Sequence, residues 1–116
     1  MNPKQITFLV PLSEWREDRL RVRALKDKGR ITKFVVQYEA LIRGEWRVIV
    51  RYDNAHGFAH KDLLHWSGRI DKQPLVHMDF NMALTFAIQD LKMSWQWYRV
   101  GYEKEIQDEE RSRGGR

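Results

Sequence analysis

The chain has 116 residues, 42% of them hydrophobic and 32% charged, with a formal net charge of +5. That length suits one domain with a modest core, and that composition excludes a disordered chain. With no cysteine there is no disulfide framework or thiolate zinc site, and no early apolar run is long enough for a signal peptide or membrane span; a cytoplasmic protein that stays out of membranes is expected.

Ile6 to Val10 has the length of a short edge strand, and Leu12-Ser-Glu-Trp-Arg reads as a helical turn capped by Ser13. From Asp18, Leu20, Val22 and Ala24 alternate with Arg19, Arg21 and Arg23, the pattern of a half-buried strand. Lys28-Gly29-Arg30 is a hairpin turn, after which Phe34, Val36, Tyr38, Ala40 and Ile42 share one face. A turn at Arg43-Gly44-Glu45 leads to Trp46, Val48, Val50 and Tyr52, opposite Arg47, Ile49 and Arg51. The connection 53–57 gives way to a fourth strand near Phe58 to Trp66, and Ser67-Gly68-Arg69 turns again. Short connections between consecutive strands imply an antiparallel meander.

From Asp79 the period changes to that of a helix. Phe80, Leu84, Ala87, Leu91, Trp95, Tyr98, Tyr102 and Ile106 form one stripe, with Asp79 placed as cap. Met82, Phe86, Met93, Trp97 and Val100 form a second. A helix of that length, roughly 45 Å, overruns a small sheet, so the second stripe is expected to meet another copy or a partner. Lys104 with Asp108 and Glu109 with Arg113 have i,i+4 spacing, before a charged and solvated tail. The expected architecture is α+β: an antiparallel meander of about four strands over residues 18–70, packed against one long helix over 79–110, in a single domain spanning 1–116.

The excess positive charge lies toward the N-terminus. Residues 1–77 hold 15 Lys and Arg against 9 Asp and Glu, whereas residues 78–116 hold 6 against 7. Alternation places Arg21, Arg23, Arg47 and Arg51 together on the face away from the helix, a surface suited to RNA or another nucleic acid.

The segment Arg51-Tyr-Asp-Asn-Ala-His-Gly-Phe-Ala-His-Lys-Asp62 gathers the remaining chemistry. Arg51 and Lys61 can hold phosphate, and Asp53 or Asp62 can orient an imidazole. His56 and His60 are acid–base candidates for cleaving a phosphodiester at its 2′-hydroxyl. His60 and Asp62 share the parity of Phe58, Leu64 and Trp66, which look buried, and strict alternation puts Arg51 on the other face. Bringing these groups together then requires a bulge or the loop itself. His56 and His60 are spaced as a metal pair only in a helix, so no metal and no cofactor is expected.

Over residues 50–60 the chain resembles the TumE-like toxins of prokaryotic toxin–antitoxin pairs: Arg51, Tyr52, Asp53, Asn54, Gly57 and His60 match their motif by position. It also resembles a related uncharacterised prokaryotic domain family whose members continue through His60-Lys-Asp-Leu-Leu-His65 and the long aromatic helix. The first resemblance implies a cytosolic growth inhibitor that acts on RNA or translation and is neutralised by an antitoxin protein. The extra His56 and the fuller aromatic helix depart from that pattern. The expectation is a toxin-like protein, with metal-independent ribonuclease chemistry at His60 and His56 and a homodimer formed through the C-terminal helix. The alternative is a non-catalytic module that binds nucleic acid or protein.

Overall fold

A computed structural model describes residues 3–114. The strands β1 (Lys4–Pro11), β2 (Asp18–Asp27), β3 (Arg30–Ile42), β4 (Glu45–Asp53), β5 (His60–Leu64) and β6 (Ile70–Pro74) form one antiparallel sheet, and α1 (Phe80–Gly114) lies on one of its faces. Strand order is chain order throughout. The meander is as expected, but it has six strands rather than about four. The additional edge strand is β6, whose residues are all exposed. It has no apolar alternation to read and is held by its backbone ladder to β5.

Two connections are two-residue hairpins, Lys28-Gly29 and Arg43-Gly44, in which both residues take positive φ (52° and 81°, 53° and 80°). That geometry matches the right-handed twist of paired strands, and glycine supplies it without strain at the second position. The segment after β1 forms a turn rather than a helix, with the Ser13 hydroxyl accepting the Glu17 N–H at 3.1 Å.

Leu20, Val22 and Ala24 of β2, Phe34, Val36, Tyr38, Ala40 and Ile42 of β3, and Val50 and Tyr52 of β4 form the core with α1. The helix contributes Ala83, Ala87, Leu91, Tyr98, Tyr102 and Ile106. The two fully buried alanines let the helix come close to the sheet at its N-terminal end. Aromatic pairs then follow along the contact: Phe34–Phe80, Tyr38–Trp95 and Trp66–Tyr102, at centroid separations of 6.3, 6.2 and 5.9 Å. Asp79 caps the helix by accepting the Met82 N–H at 2.8 Å. Beyond residue 110 the helix continues to Gly114, carried by the expected Lys104–Asp108 and Glu109–Arg113 pairs at 3.1 and 3.3 Å. Residues 115 and 116 of the expected tail lie outside the described residues. Among the described residues no helix is long and apolar enough to cross a membrane.

One irregularity decides which side chains reach which face. Tyr38 pairs with Val50 and Glu39 with Val48, leaving Ile49 as a bulge. Ile49 and Val50 are both buried, and the alternation of β4 reverses below them. Arg47 therefore lies opposite Ala40 on the helix face, with its guanidinium 4.6 Å from the centre of the Trp66 ring. The expectation that Arg47 joins Arg21, Arg23 and Arg51 is corrected: one inserted residue moves it to the other side. Trp46 changes face too, and Arg19 stacks on its ring at 3.7 Å.

Candidate functional site

The site is built on the open face, away from α1. Antiparallel register sets two neighbouring rows of side chains across it. One row runs Leu9, Arg21, Gln37, Arg51, Asp62, Lys72 from β1 to β6. The next runs Thr7, Arg23, Val35, Asp53, His60, Pro74. Residues directly opposite in such a sheet share a face, so Arg51 lies on the same face as Asp62 and His60. This overturns the parity argument that separated Arg51 from His60, since β5 begins at His60 rather than Phe58. Phe58 precedes the strand and is half exposed, so it is not part of a buried set.

Arg21, Arg23, Val35, Gln37 and Arg51 line a hollow of about 370 Å³. Two of its arginines, Arg21 and Arg51, are held by a relay of hydrogen bonds. Arg51 Nε donates to Gln37 Oε1 at 2.9 Å, Gln37 Nε2 donates to Glu39 Oε2 at 2.6 Å, and Arg21 Nε donates to Glu39 Oε2 at 2.9 Å. Arg19 Nε donates to the other Glu39 oxygen at 2.7 Å. Burial acts to raise the Glu39 carboxyl, but the hydrogen bonds from Arg21, Arg19 and Gln37 outweigh it and hold the group below the ordinary carboxylate value. Arg19, Arg21 and Arg51 all donate through Nε, and among the described residues the terminal NH1 and NH2 groups of Arg21 and Arg51 make no protein hydrogen bond. A guanidinium fixed through Nε presents its far edge in a set orientation, which suits bidentate contact with phosphate.

Beside this hollow, Asp53, His60 and Asp62 are brought together and buried. His60 Nε2 lies 3.1 Å from Asp53 Oδ1 and 3.7 Å from Asp62 Oδ1. His60 Nδ1 faces the Phe58 carbonyl at 3.4 Å. The connection 54–59 folds over the ring: His56 stacks on it at 5.8 Å between centroids, and Phe58 lies at 5.5 Å. Asp53 Oδ1 also accepts the Ala55 N–H at 3.0 Å, and Lys72 reaches Asp62 at 3.4 Å. Lys72 sits on the strand that had no readable pattern, so sequence reasoning missed it.

Lys61 is not part of this group. Alternation along β5 sends it to the helix face, where Nζ donates to the Tyr98 hydroxyl at 2.6 Å. Tyr98 and Tyr52 both donate to Asp90 Oδ2, at 2.8 and 2.7 Å. Burial first, and then the Asp90 carboxylate, raise both phenols above their ordinary value, so they remain hydrogen-bond donors. The expectation that Lys61, like Arg51, holds phosphate beside His60 is corrected accordingly, because Lys61 lies on the other side of the sheet.

Much of the motif around residues 51–60 is explained by the fold itself. Tyr52 fills the core and anchors Asp90, and Gly57 takes φ 87° in the turn. Asn54 extends the β3–β4 ladder with its side chain, accepting the Phe34 N–H at 3.0 Å and donating to the Thr32 carbonyl at 3.1 Å. Arg51, Asp53 and His60 remain for the open face. No curated protein and no solved structure matches the chain. A family model described as a domain of unknown function, DUF7718, matches residues 1–108, and the chain belongs to that family.

Proposed function

We propose that the protein binds RNA through the open face of its sheet, as the toxin-like member of a toxin–antitoxin pair. The observation that carries this reading is the hollow in which Arg21, Arg23 and Arg51 converge, two of them fixed through Nε by the Gln37–Glu39 relay. Spread, oriented positive charge is what a phosphate backbone requires. The choice of RNA, and of an antitoxin as protein partner, is supported by the resemblance of residues 50–60 to TumE-like toxins. The burial of His60 favours binding over cleavage, since His56 and Phe58 stand between its ring and a substrate.

The test is fluorescence anisotropy with labelled single-stranded RNA across a salt series. Binding should weaken linearly on a log–log scale, and Arg21→Ala or Arg51→Ala should each reduce the slope by about 1. Binding that is absent at low salt, or indifferent to salt, removes the proposal. The same samples run on a gel report cleavage. A cut RNA that stays intact with His60→Ala, and is still cut in chelator, replaces the binding reading with the metal-independent ribonuclease that the Asp53–His60 contact supports. Growth inhibition on expression, relieved by a small DNA-binding protein encoded next to the gene, tests the toxin–antitoxin part.

A further inference from the structure

We infer that Asp53, His60 and Asp62 form a binding site for a first-row divalent cation. The spacing of the histidines in the sequence does not point to such a site; the register between β4 and β5 does. Asp53 and His60 are direct cross-strand partners, and Asp62 is two residues further along β5 on the same face. One ligand atom from each lies within 4.8 Å of the others, and all three residues are buried. Ligand atoms around such a cation, at about 2.0–2.2 Å from it, stand roughly 3–3.5 Å apart. The two contacts of His60 Nε2, 3.1 and 3.7 Å, are already near that spacing. The remaining pair lies within 4.8 Å and needs to close by at most about 2 Å.

The orientation of His60 suits a cation at this point. The Phe58 carbonyl faces Nδ1 at 3.4 Å and so sets which edge of the ring turns to the carboxylates. Nε2 is then the ring nitrogen aimed between the two carboxylates, at 3.1 and 3.7 Å, so that all three ligand atoms face one point. A histidine ligand held through its other nitrogen by a backbone carbonyl is the usual outer-shell arrangement of metal sites. The carboxylates are steered in the same way, Asp53 by the Ala55 N–H and Asp62 by Lys72. Lys72 alone does not balance them, because its side chain is 60% exposed and it touches only Asp62. Two buried carboxylates call for about two positive charges, and one imidazole with two carboxylates suits manganese or zinc better than calcium.

The site is independent of the RNA reading and is tested without RNA. Mn2+ titrated calorimetrically into the full chain after chelator treatment should saturate one site per chain. Asp62→Asn should weaken it at least tenfold while retaining the far-ultraviolet circular dichroism of the parent. Should that variant not fold, the wild-type protein provides the second readout. Substoichiometric Mn2+ should broaden the NMR signals of the His60 ring and of residues 53–62 before any others. Failure to saturate with millimolar Mn2+ or Zn2+ overturns the inference, as does broadening centred on exposed groups such as His77 or the acidic end of the helix. Neither result bears on whether RNA binds.

Discussion

Replacing Asn54 with alanine tests whether the residue acts in the fold or in the function. Its side chain is buried and supplies the last rung of the β3–β4 ladder, where the Phe34 amide has no backbone acceptor opposite. Asn54→Ala leaves that buried N–H unpaired, a loss of about 1–3 kcal/mol. The Thr32 carbonyl is only partly buried and can turn to water, which adds about 0.5–1 kcal/mol. The total, about 1.5–4 kcal/mol, is a large share of the roughly 5–15 kcal/mol that holds a domain of this kind together. It corresponds to a fall in melting temperature on the order of 10 °C. Urea titration followed by circular dichroism should show a lower midpoint with an unchanged slope, and hydrogen exchange should show lost protection at the Phe34 amide. At a temperature where the variant is still folded, its RNA affinity should equal that of the parent. A stability change below about 0.5 kcal/mol would mean that the connection relaxes to satisfy Phe34 by another route. Lost RNA binding in the folded variant would move Asn54 into the interface.

Arg47→Met should leave RNA affinity and salt slope unchanged, because Arg47 lies on the helix face against Trp66; a reduced slope in anisotropy would put it back on the nucleic-acid surface. His65 joins the β5–β6 hairpin to α1, with Nδ1 at 2.6 Å from Glu105 and Nε2 at 2.8 Å from Asp71. The Glu105 contact, with help from Asp71 and against the effect of burial, raises the His65 pKa. A raised folded-state pKa stabilises fully below the free imidazole value near 6.5 and fades as pH rises above it, so the urea midpoint difference between parent and Glu105→Gln should shrink from pH 5.5 to pH 8.5. Met93, Trp97 and Val100 are 84%, 74% and 64% exposed, and each large side chain fully buried in a dimer would contribute about 1.5–3 kcal/mol. Light scattering after size exclusion should show a dimer that Trp97→Glu dissociates; a monomer at high concentration, with no partner copurifying, counts against this face as an interface.

Local pattern was enough to read the strands that alternate and the helix that follows. Leu20 to Ala24 and Phe34 to Ile42 are half-buried strands whose apolar face needs a cover, and the 3.6-residue stripe from Phe80 to Ile106 supplies one; two-residue turns ending in glycine set their antiparallel order. The gathering of Arg21, Arg23 and Arg51 on one face was legible for the same reason, since side-chain direction in a regular strand follows from parity, whereas their meeting with His60 was not. Parity fails wherever the ladder slips by one residue. The bulge at Ile49 carried Arg47 to the helix side, and the late start of β5 sent Lys61 inward while placing Asp62 opposite Arg51. Neither event leaves a mark on hydrophobic periodicity, because a bulge is stabilised by pairing across strands distant in sequence. The edge strand bearing Lys72 was invisible for a related reason: exposed on every residue, it is defined by backbone hydrogen bonds to β5 that no composition encodes. The sequence by itself determined the alternating strands, the helix and their order, and tertiary pairing decided the edge strand β6 and which groups join the arginines on the open face.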